Sequence, residues 1–349
     1  MIMTQAGFQA GRGVVVSEAE LGSPGPNEVL IAPEFSYLSA GTELVSLRGI
    51  RAAAENGRPP LRPGYSQAGT VLAVGDRVVG MAAGDRVVAV GAGAYHASRT
   101  VVARNLVVPV PDGIDTAEAA TMAMCCFALE AVHKSAVRIG QSVIVFGAGM
   151  MGQVAARLYR IAGARVAIMD GEPYRRSLVP DGIATFGLDD HGWAGLADWA
   201  GRYGVEHACV CFGGDATETV ERLKPIMATA PDGVPHGRLV FPGGARLSLF
   251  MASNLGNLEF LSSAKAGPGY RDPDYENGAD YPAVYVGSTV RRNVETLLEL
   301  MALPPADPRR LDLSGLITHR FPITEAAEAY RLAEEAPDRV MAVLFSYPR

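Results

Sequence analysis

Ser142-Val143-Ile144-Val145-Phe146-Gly147-Ala148-Gly149-Met150-Met151-Gly152 joins a β-branched run to a glycine-rich turn, and a helical pattern follows over 150–162. The three glycines have separate uses: a tight turn, a close approach of backbone to a pyrophosphate, and tight helix–strand packing. The N-terminus of the following helix offers unpaired N–H groups and the positive end of a dipole to phosphate. The next β run, 165–169, ends at Asp170. That is about 20 residues on, where an acid hydrogen-bonds the adenosine ribose. A carboxylate there repels a 2′-phosphate, which points to NAD rather than NADP. The expected cofactor set is Gly147, Gly149, Met150, Met151, Gly152, Asp170 and Arg175, with Phe212 and Pro242 at the ends of later strands.

Outward from this turn, β runs at 208–212, 238–241 and 258–261 alternate with helical segments, which predicts a parallel sheet with crossover helices. Upstream, short β-branched runs at 14–16, 28–32, 70–74, 86–90 and 100–103 are punctuated by Gly, Pro, Asp and Asn. That spacing predicts a small barrel or sandwich. A helix is expected over 117–136, capped in the Asp115-Thr116 region. After 267 comes a loop rich in Gly, Pro, Asp and Tyr, then a helix (290–303), a strand (316–321), a helix (324–335) and a strand (340–345). These pieces are too few to fold alone, so they should return to complete the first domain. The fold class is therefore α/β: a doubly wound parallel sheet (122–266) plus a β-rich domain (1–121 and 267–349).

The chain has 349 residues, 48% hydrophobic and 19% charged, enough to bury a large core and too apolar for disorder. A net charge of −6 and pI of about 5.6 argue against a nucleic-acid partner, which needs a basic surface. No apolar run approaches the ~18 residues of a membrane span, and residues 1–13 lack a signal-peptide pattern. A soluble cytoplasmic protein is expected. The four cysteines, Cys125, Cys126, Cys209 and Cys211, have no C-x-x-C spacing. They read as small buried hydrophobes in a reducing compartment.

Further segments carry a resemblance. They are Gly25-Pro26-Asn27-Glu28-Val29-Leu30-Ile31, Pro63-Gly64-Tyr65-Ser66-Gln67-Ala68-Gly69-Thr70-Val71, Gly84-Asp85-Arg86-Val87, and Val137-Arg138-Ile139-Gly140-Gln141-Ser142-Val143. With the mid-chain glycine turn they resemble the medium-chain dehydrogenase/reductase superfamily over essentially the whole chain. The resemblance implies a Rossmann domain beside a GroES-like one. It also exposes departures. Ala40-Gly41-Thr42-Glu43 stands where zinc-bearing members have C-G-T-D, and Tyr65-Ser66 where they have a His-Glu pair. No cysteine follows the Gly84-Asp85-Arg86-Val87 turn to build a structural zinc lobe, so no zinc of either kind is expected. Ser39-Ala40-Gly41-Thr42-Glu43, Gly64-Tyr65-Ser66, His96-Ala97, Gly267-Pro268-Gly269-Tyr270, Asp280-Tyr281-Pro282 and Thr318-His319-Arg320-Phe321-Pro322 resemble a zinc-lacking branch. This branch is the dehydrogenase half of bacterial bi-domain sugar oxidoreductases. The second half does not follow here, so any such partner oxidoreductase would be a separate protein.

Without zinc, side chains must polarise the reacting oxygen and move its proton. The resemblance places Thr42 at a proton-relaying hydroxyl, Tyr65 at a former ligand position and His96 at a pocket wall. A free Tyr has a pKa of ~10 and His ~6.5, so His96 ranks first as general acid/base, with Tyr65 and Thr42 as donors and Glu43 orienting one of them. The long loop at 267–282 is expected to contact substrate through Tyr270, Asp280 and Tyr281, and Lys265 to reach the same cleft. The reading is a zinc-independent oxidoreductase moving hydride between NAD(H) and a secondary alcohol or ketone of a sugar, cyclitol or related polyhydroxylated metabolite. The alternatives are an NADPH-dependent C=C reductase of the quinone or enoyl type and a non-catalytic dinucleotide-binding subunit. Leu255 to Ser263 resembles the edge strand through which superfamily members pair their nucleotide-binding sheets, so the resemblance implies a homodimer.

Overall fold

Asp115 caps its helix as its position predicts, its carboxylate accepting from the Ala117 N–H at 2.6 Å. The helix beyond it is not continuous, and a single side chain explains why. Ser66 Oγ donates to the Ala120 carbonyl at 2.7 Å and accepts from the Ala123 N–H at 3.0 Å. A side chain inserted into the backbone ladder breaks a helix, so the 117–136 segment divides into two. A computed structural model describes residues 1–54 and 58–348, and shows two units. One is Met1–Cys126 with Ala266–Arg349, the other Phe127–Lys265.

In the first unit, β1 (Ile2–Gln9) and β2 (Gly13–Glu20) form a hairpin. Then come β3 (Glu28–Leu38), α1 (Ala40–Ala52), β4 (Ser66–Val74), β5 (Arg86–Val90), β6 (Thr100–Ala103), β7 (Val107–Pro109) and α2 (Thr116–Ala119). Helix α3 (Met122–Ser135) crosses into the second unit. There follow β8 (Ser142–Phe146), α4 (Met150–Ile161), β9 (Arg165–Met169), α5 (Pro173–Ser177), β10 (Ala184–Phe186), α6 (Asp190–Ala200), β11 (His207–Val210) and β12 (Gly214–Asp215). Next are α7 (Thr217–Leu223), β13 (His236–Pro242), β14 (Ala245–Arg246) and β15 (Asn257–Ser263). Back in the first unit lie α8 (Pro273–Glu276), α9 (Val290–Ala302), β16 (Ile317–Pro322), α10 (Ala326–Glu335) and β17 (Ala342–Ser346).

The second unit is a parallel sheet in the order β10-β9-β8-β11-β13-β15. The chain winds outward from β8 through β9 to β10, then returns to build β11, β13 and β15 on the other side. That reversal is the doubly wound Rossmann topology, and its switch point lies between β8 and β11. In the first unit the order is β16-β17-β3-β4-β5-β7, with β6 on β3, and every pairing but β16–β17 is antiparallel. The C-terminal strands thus complete the β-rich GroES-like unit, through β17 on β3. Phe8, Leu38, Leu47, Tyr330 and Phe345 pack its core where α1, α10 and β17 meet. Helix α1 was not anticipated: Gly41, Val45 and Gly49 weaken its pattern, and packing of Leu44 and Leu47 carries it. Among the described residues no helix is long and apolar enough to cross a membrane.

Candidate functional site

At the switch point the backbone explains the glycines. Gly147 holds φ +92°, a left-handed conformation that favours glycine. A Cβ on Gly152 would lie 1.7 Å from the Gly147 carbonyl oxygen, so only glycine lets α4 start this close to its strand. A Cβ on Gly149, by contrast, would meet nothing within 4 Å. The N-cap of α4 therefore faces open space, a cradle suited to phosphate. Asp170 ends β9 with one carboxylate oxygen 2.6 Å from the Ala148 N–H and the other 2.7 Å from the Glu172 N–H. Arg175 Nη1 lies 3.9 Å from the same carboxylate. Phe212 sits just past β11, its Cβ 3.4 Å from where a side chain on Gly147 would start, and Pro242 closes β13. Met150 is buried and Met151 half-buried in the first turn of α4. The residues expected to hold a dinucleotide thus gather at the carboxyl ends of the strands, and their donor chemistry fits one.

The first unit holds a cavity of about 310 Å³. Its polar lining is Thr42, Glu43, Ser46, Arg62, Tyr65, Tyr95, Tyr270 and Arg271. Thr42 and Glu43 reach it because Ser39 begins α1, and Tyr65 because Pro63-Gly64 turns the chain into β4. Burial pushes the Tyr65 hydroxyl above its usual range and the Glu43 charge adds to this, while hydrogen bonds to the Ser39 and Thr42 side chains oppose it. Tyr65 therefore keeps its proton at neutral pH.

His96 is placed differently from the expectation that it lines the pocket. It is fully buried, and both ring nitrogens are engaged: Nε2 with Glu43 Oε2 at 3.0 Å, Nδ1 with Ser36 Oγ at 2.7 Å. Gly64 covers it so tightly that a Cβ there would lie 2.9 Å from Nδ1. Ser36 in turn meets the Tyr347 hydroxyl at 2.6 Å, and Tyr330 donates to Glu43. The Glu43 carboxylate also accepts from the Ser39 N–H at 3.1 Å, so α1 is tied back to its own start. One carboxylate bridges the cavity wall to a buried relay of His96, Ser36 and Tyr347. Nothing in the sequence signalled Tyr330 or Tyr347, which lie 287 and 304 residues from Glu43.

Of the loop residues, Tyr270 lines the cavity, but Asp280 and Tyr281 do not. Asp280 pairs with Arg292 at 3.3 Å, and Tyr281 donates to Asp272 while stacking on Tyr275, so both hold the loop's own shape. Lys265 is exposed at the end of the second unit. Arg62, Tyr95 and Arg271 went unrecognised, although Tyr95 and Arg271 adjoin residues that were singled out. A zinc ion does not fit these side chains: Ala40, Tyr65 and Ser66 offer no donor set. No three His, Cys, Asp or Glu converge among the described residues.

This pairing of a doubly wound sheet with an antiparallel β unit is the fold of the medium-chain dehydrogenases and reductases. Alcohol dehydrogenase TADH from Thermus sp. ATN1 superposes with a TM-score of 0.75 at 18% identity, covering 99% of this chain and 100% of that one. The CurK enoyl reductase gives 0.73 at 18% identity, with 99% of each chain covered. A short chain alcohol dehydrogenase (rspB) from E. coli CFT073, complexed with NADH, gives 0.75 at 14% identity, with 99% of each covered. No family model matches the chain. Among curated proteins, 2-dehydro-3-deoxy-L-galactonate 5-dehydrogenase of Pseudoalteromonas atlantica is 28% identical over 116 residues, 33% of this chain and 34% of that protein. L-galactonate-5-dehydrogenase of Escherichia coli is 38% identical over 68 residues, 20% of each. The chain thus matches about a third and a fifth of the length of these curated relatives.

Proposed function

We propose that this protein is a zinc-independent, NAD(H)-dependent dehydrogenase acting on a secondary alcohol or ketone of a polyhydroxylated metabolite. The observation that carries the reading is the meeting of the Thr42 and Tyr65 side chains on one cavity, in a chain whose other unit presents a glycine turn with the Asp170 carboxylate hydrogen-bonded to it. Both curated relatives are named as 5-dehydrogenases of galactonate compounds, which supports a polyhydroxylated carbon chain as substrate. Gly147, Gly149, Met150, Met151, Gly152 and the Asp170 carboxylate would hold a bound dinucleotide, which would supply or accept the hydride. Tyr65, protonated at neutral pH, donates to the substrate oxygen and polarises it. In the reducing direction it passes its proton to the oxygen that becomes the new hydroxyl; Thr42, exposed to water, then returns a proton to it while Ser39 holds the phenol in place. Glu43 fixes this end of α1, and His96 acts behind it as a positioning residue, not against substrate. Tyr270 packs on the substrate's far side.

Calorimetric titration of metal-analysed, cofactor-free protein with NADH and NADPH tests the reading, followed by assays with polyols, hexonates and cyclitols. Preference for NADH and NAD reduction by one of these substrates is the expected outcome. Preference for NADPH with turnover of an activated C=C bond moves the protein to the reductase reading, a chemistry the same fold carries in CurK. Binding of neither nucleotide removes the enzyme reading.

A further inference from the structure

The cavity rim carries two guanidinium groups that hydride transfer does not use. Arg62 and Arg271 both line it, and both are exposed. Each lies over an aromatic ring of the same wall: Arg62 over Tyr95, 4.7 Å from the centroid, and Arg271 over Tyr270 at 5.7 Å. A guanidinium over a ring keeps N–H groups for another partner; Arg271 gives one to the Tyr270 hydroxyl and retains the others.

Their ionic surroundings differ. Arg62 makes no ion pair among the described residues. Arg271 has Glu276 nearby, whose carboxylate takes the Arg271 backbone N–H at 2.9 Å. Glu43, the one carboxylate in the lining, is already occupied by Ser39, His96 and Tyr330. The two arginines thus place guanidinium groups at the mouth of the cavity, with Glu43 turned into its hydrogen-bonded wall, on a protein whose net charge is −6. Arg271 is also one of two non-glycine residues with positive φ among the described residues, at +62°. Such backbone persists where its surroundings impose it. Here Glu276 anchors the Arg271 N–H, and a Cβ on Gly269 would stand 2.4 Å from the Tyr275 ring, so the loop admits only this course.

We propose that Arg62 and Arg271 form an anion subsite at the rim of the Thr42–Tyr65 cavity, and that it takes the carboxylate of a polyhydroxylated acid. The inference rests on the dehydrogenase reading for what happens at the other end of the substrate. The planar guanidinium fork matches a planar carboxylate in two parallel hydrogen bonds. Held there by its carboxylate, an acid would place a hydroxyl-bearing carbon farther along its chain against Thr42 and Tyr65.

Calorimetry on the full chain tests this with three probe series: a panel of six-carbon aldonates, the matching alditols in which CH2OH replaces the carboxylate, and hexose 6-phosphates. Each is titrated with and without saturating NADH, into wild type, Arg62→Gln and Arg271→Gln. At least one aldonate should bind more tightly than its alditol, and each substitution should weaken that aldonate about ten- to a hundredfold. The alditol should be unaffected and the aldonate difference should shrink with salt. Both arginines are exposed, and an unchanged NADH affinity verifies that the variants are folded. Equal affinity for aldonate and alditol overturns the subsite, as does absence of aldonate binding or indifference to both substitutions. Tighter binding of a hexose phosphate overturns the carboxylate assignment. Loss of dinucleotide binding in the wild type would instead remove the dehydrogenase reading, while the aldonate comparison without NADH still reports on the arginines.

Discussion

Three residues separate chemistry from support. Tyr65→Phe removes one oxygen from the cavity wall and leaves the ring in place. The expected result is a fall in kcat of about a hundredfold or more with little change in thermal stability, read by steady-state kinetics beside calorimetry. His96→Leu should do the reverse. It strands Glu43 and Ser36 inside the core, and a broken buried pair costs about 3 kcal/mol or more. Denaturant unfolding should show that loss. If kcat fell as far as in Tyr65→Phe at undiminished stability, His96 would be touching substrate after all. Asp170 has two duties, since its carboxylate accepts both the Ala148 and Glu172 N–H groups. Asp170→Ala should weaken NADH by about tenfold through lost charge-assisted bonds and narrow the preference over NADPH. An unchanged nucleotide preference would show that Arg175 and its neighbours, not the carboxylate, set the choice.

At the level of single elements, the turn between β8 and α4 is the least tolerant. Gly152→Ala asks a methyl group to stand 1.7 Å from a carbonyl oxygen, so α4 must shift away from β8. Dinucleotide binding should be lost while α4 remains helical, because alanine is the better helix former. Near-normal NADH affinity in this variant would mean that the cofactor does not sit on this turn. Strand β15 is an edge of the parallel sheet, paired only with β13. An unpaired edge of this kind is suited to a second copy of the chain, so a homodimer is expected by light scattering and Leu261→Lys should dissociate it. A monomeric wild type would remove this pairing. These strands were readable because β-branched runs and glycine turns are local signals. The β8–α4 turn, Asp170 and the Asp115 cap likewise stand on neighbours in sequence. Helix α1 was not readable, since its support comes from contacts of Leu44 and Leu47 with distant elements. Nor was the break at Ala120-Thr121, which depends on a serine in β4, some fifty residues away. The position of His96 failed to read for the same reason. Its partners, Ser36 and Glu43, lie 60 and 53 residues earlier and are joined to it only by the folded sheet.

Over the whole molecule, buried phenols are distributed unevenly, and this predicts how the two units respond to alkali. Burial raises the hydroxyls of Tyr37, Tyr65, Tyr330 and Tyr347 in the first unit, with the Glu43 charge adding to each. In the second unit Tyr159 alone among these strongly buried phenols is raised, again by burial first. A phenol whose folded pKa exceeds its unfolded value of ~10 contributes nothing to the pH dependence below that value, where both states are protonated. Above it the unfolded chain releases a proton that the folded chain keeps, so stability falls as pH rises. Each such tyrosine costs about 1.4 kcal/mol per pH unit until its folded pKa is reached. Acting together, the four draw on a domain stability of only about 5–15 kcal/mol as pH rises above 10. The first unit should therefore unfold in alkali before the second. Its tyrosines should ionise together in the absorbance of phenolate, at the pH where the cavity's ligand binding is lost. The second unit has its own weakness at the opposite end. Burial lowers the pKa of His207 below its ordinary value, so that contribution is present above ~6.5 and is lost as pH falls. Scanning calorimetry from mild acid to strong alkali should show two transitions that move apart as pH rises past 10. A single transition at every pH would show that the two units unfold as one, and independent titration of the tyrosines near pH 10 would show that they are not buried as described.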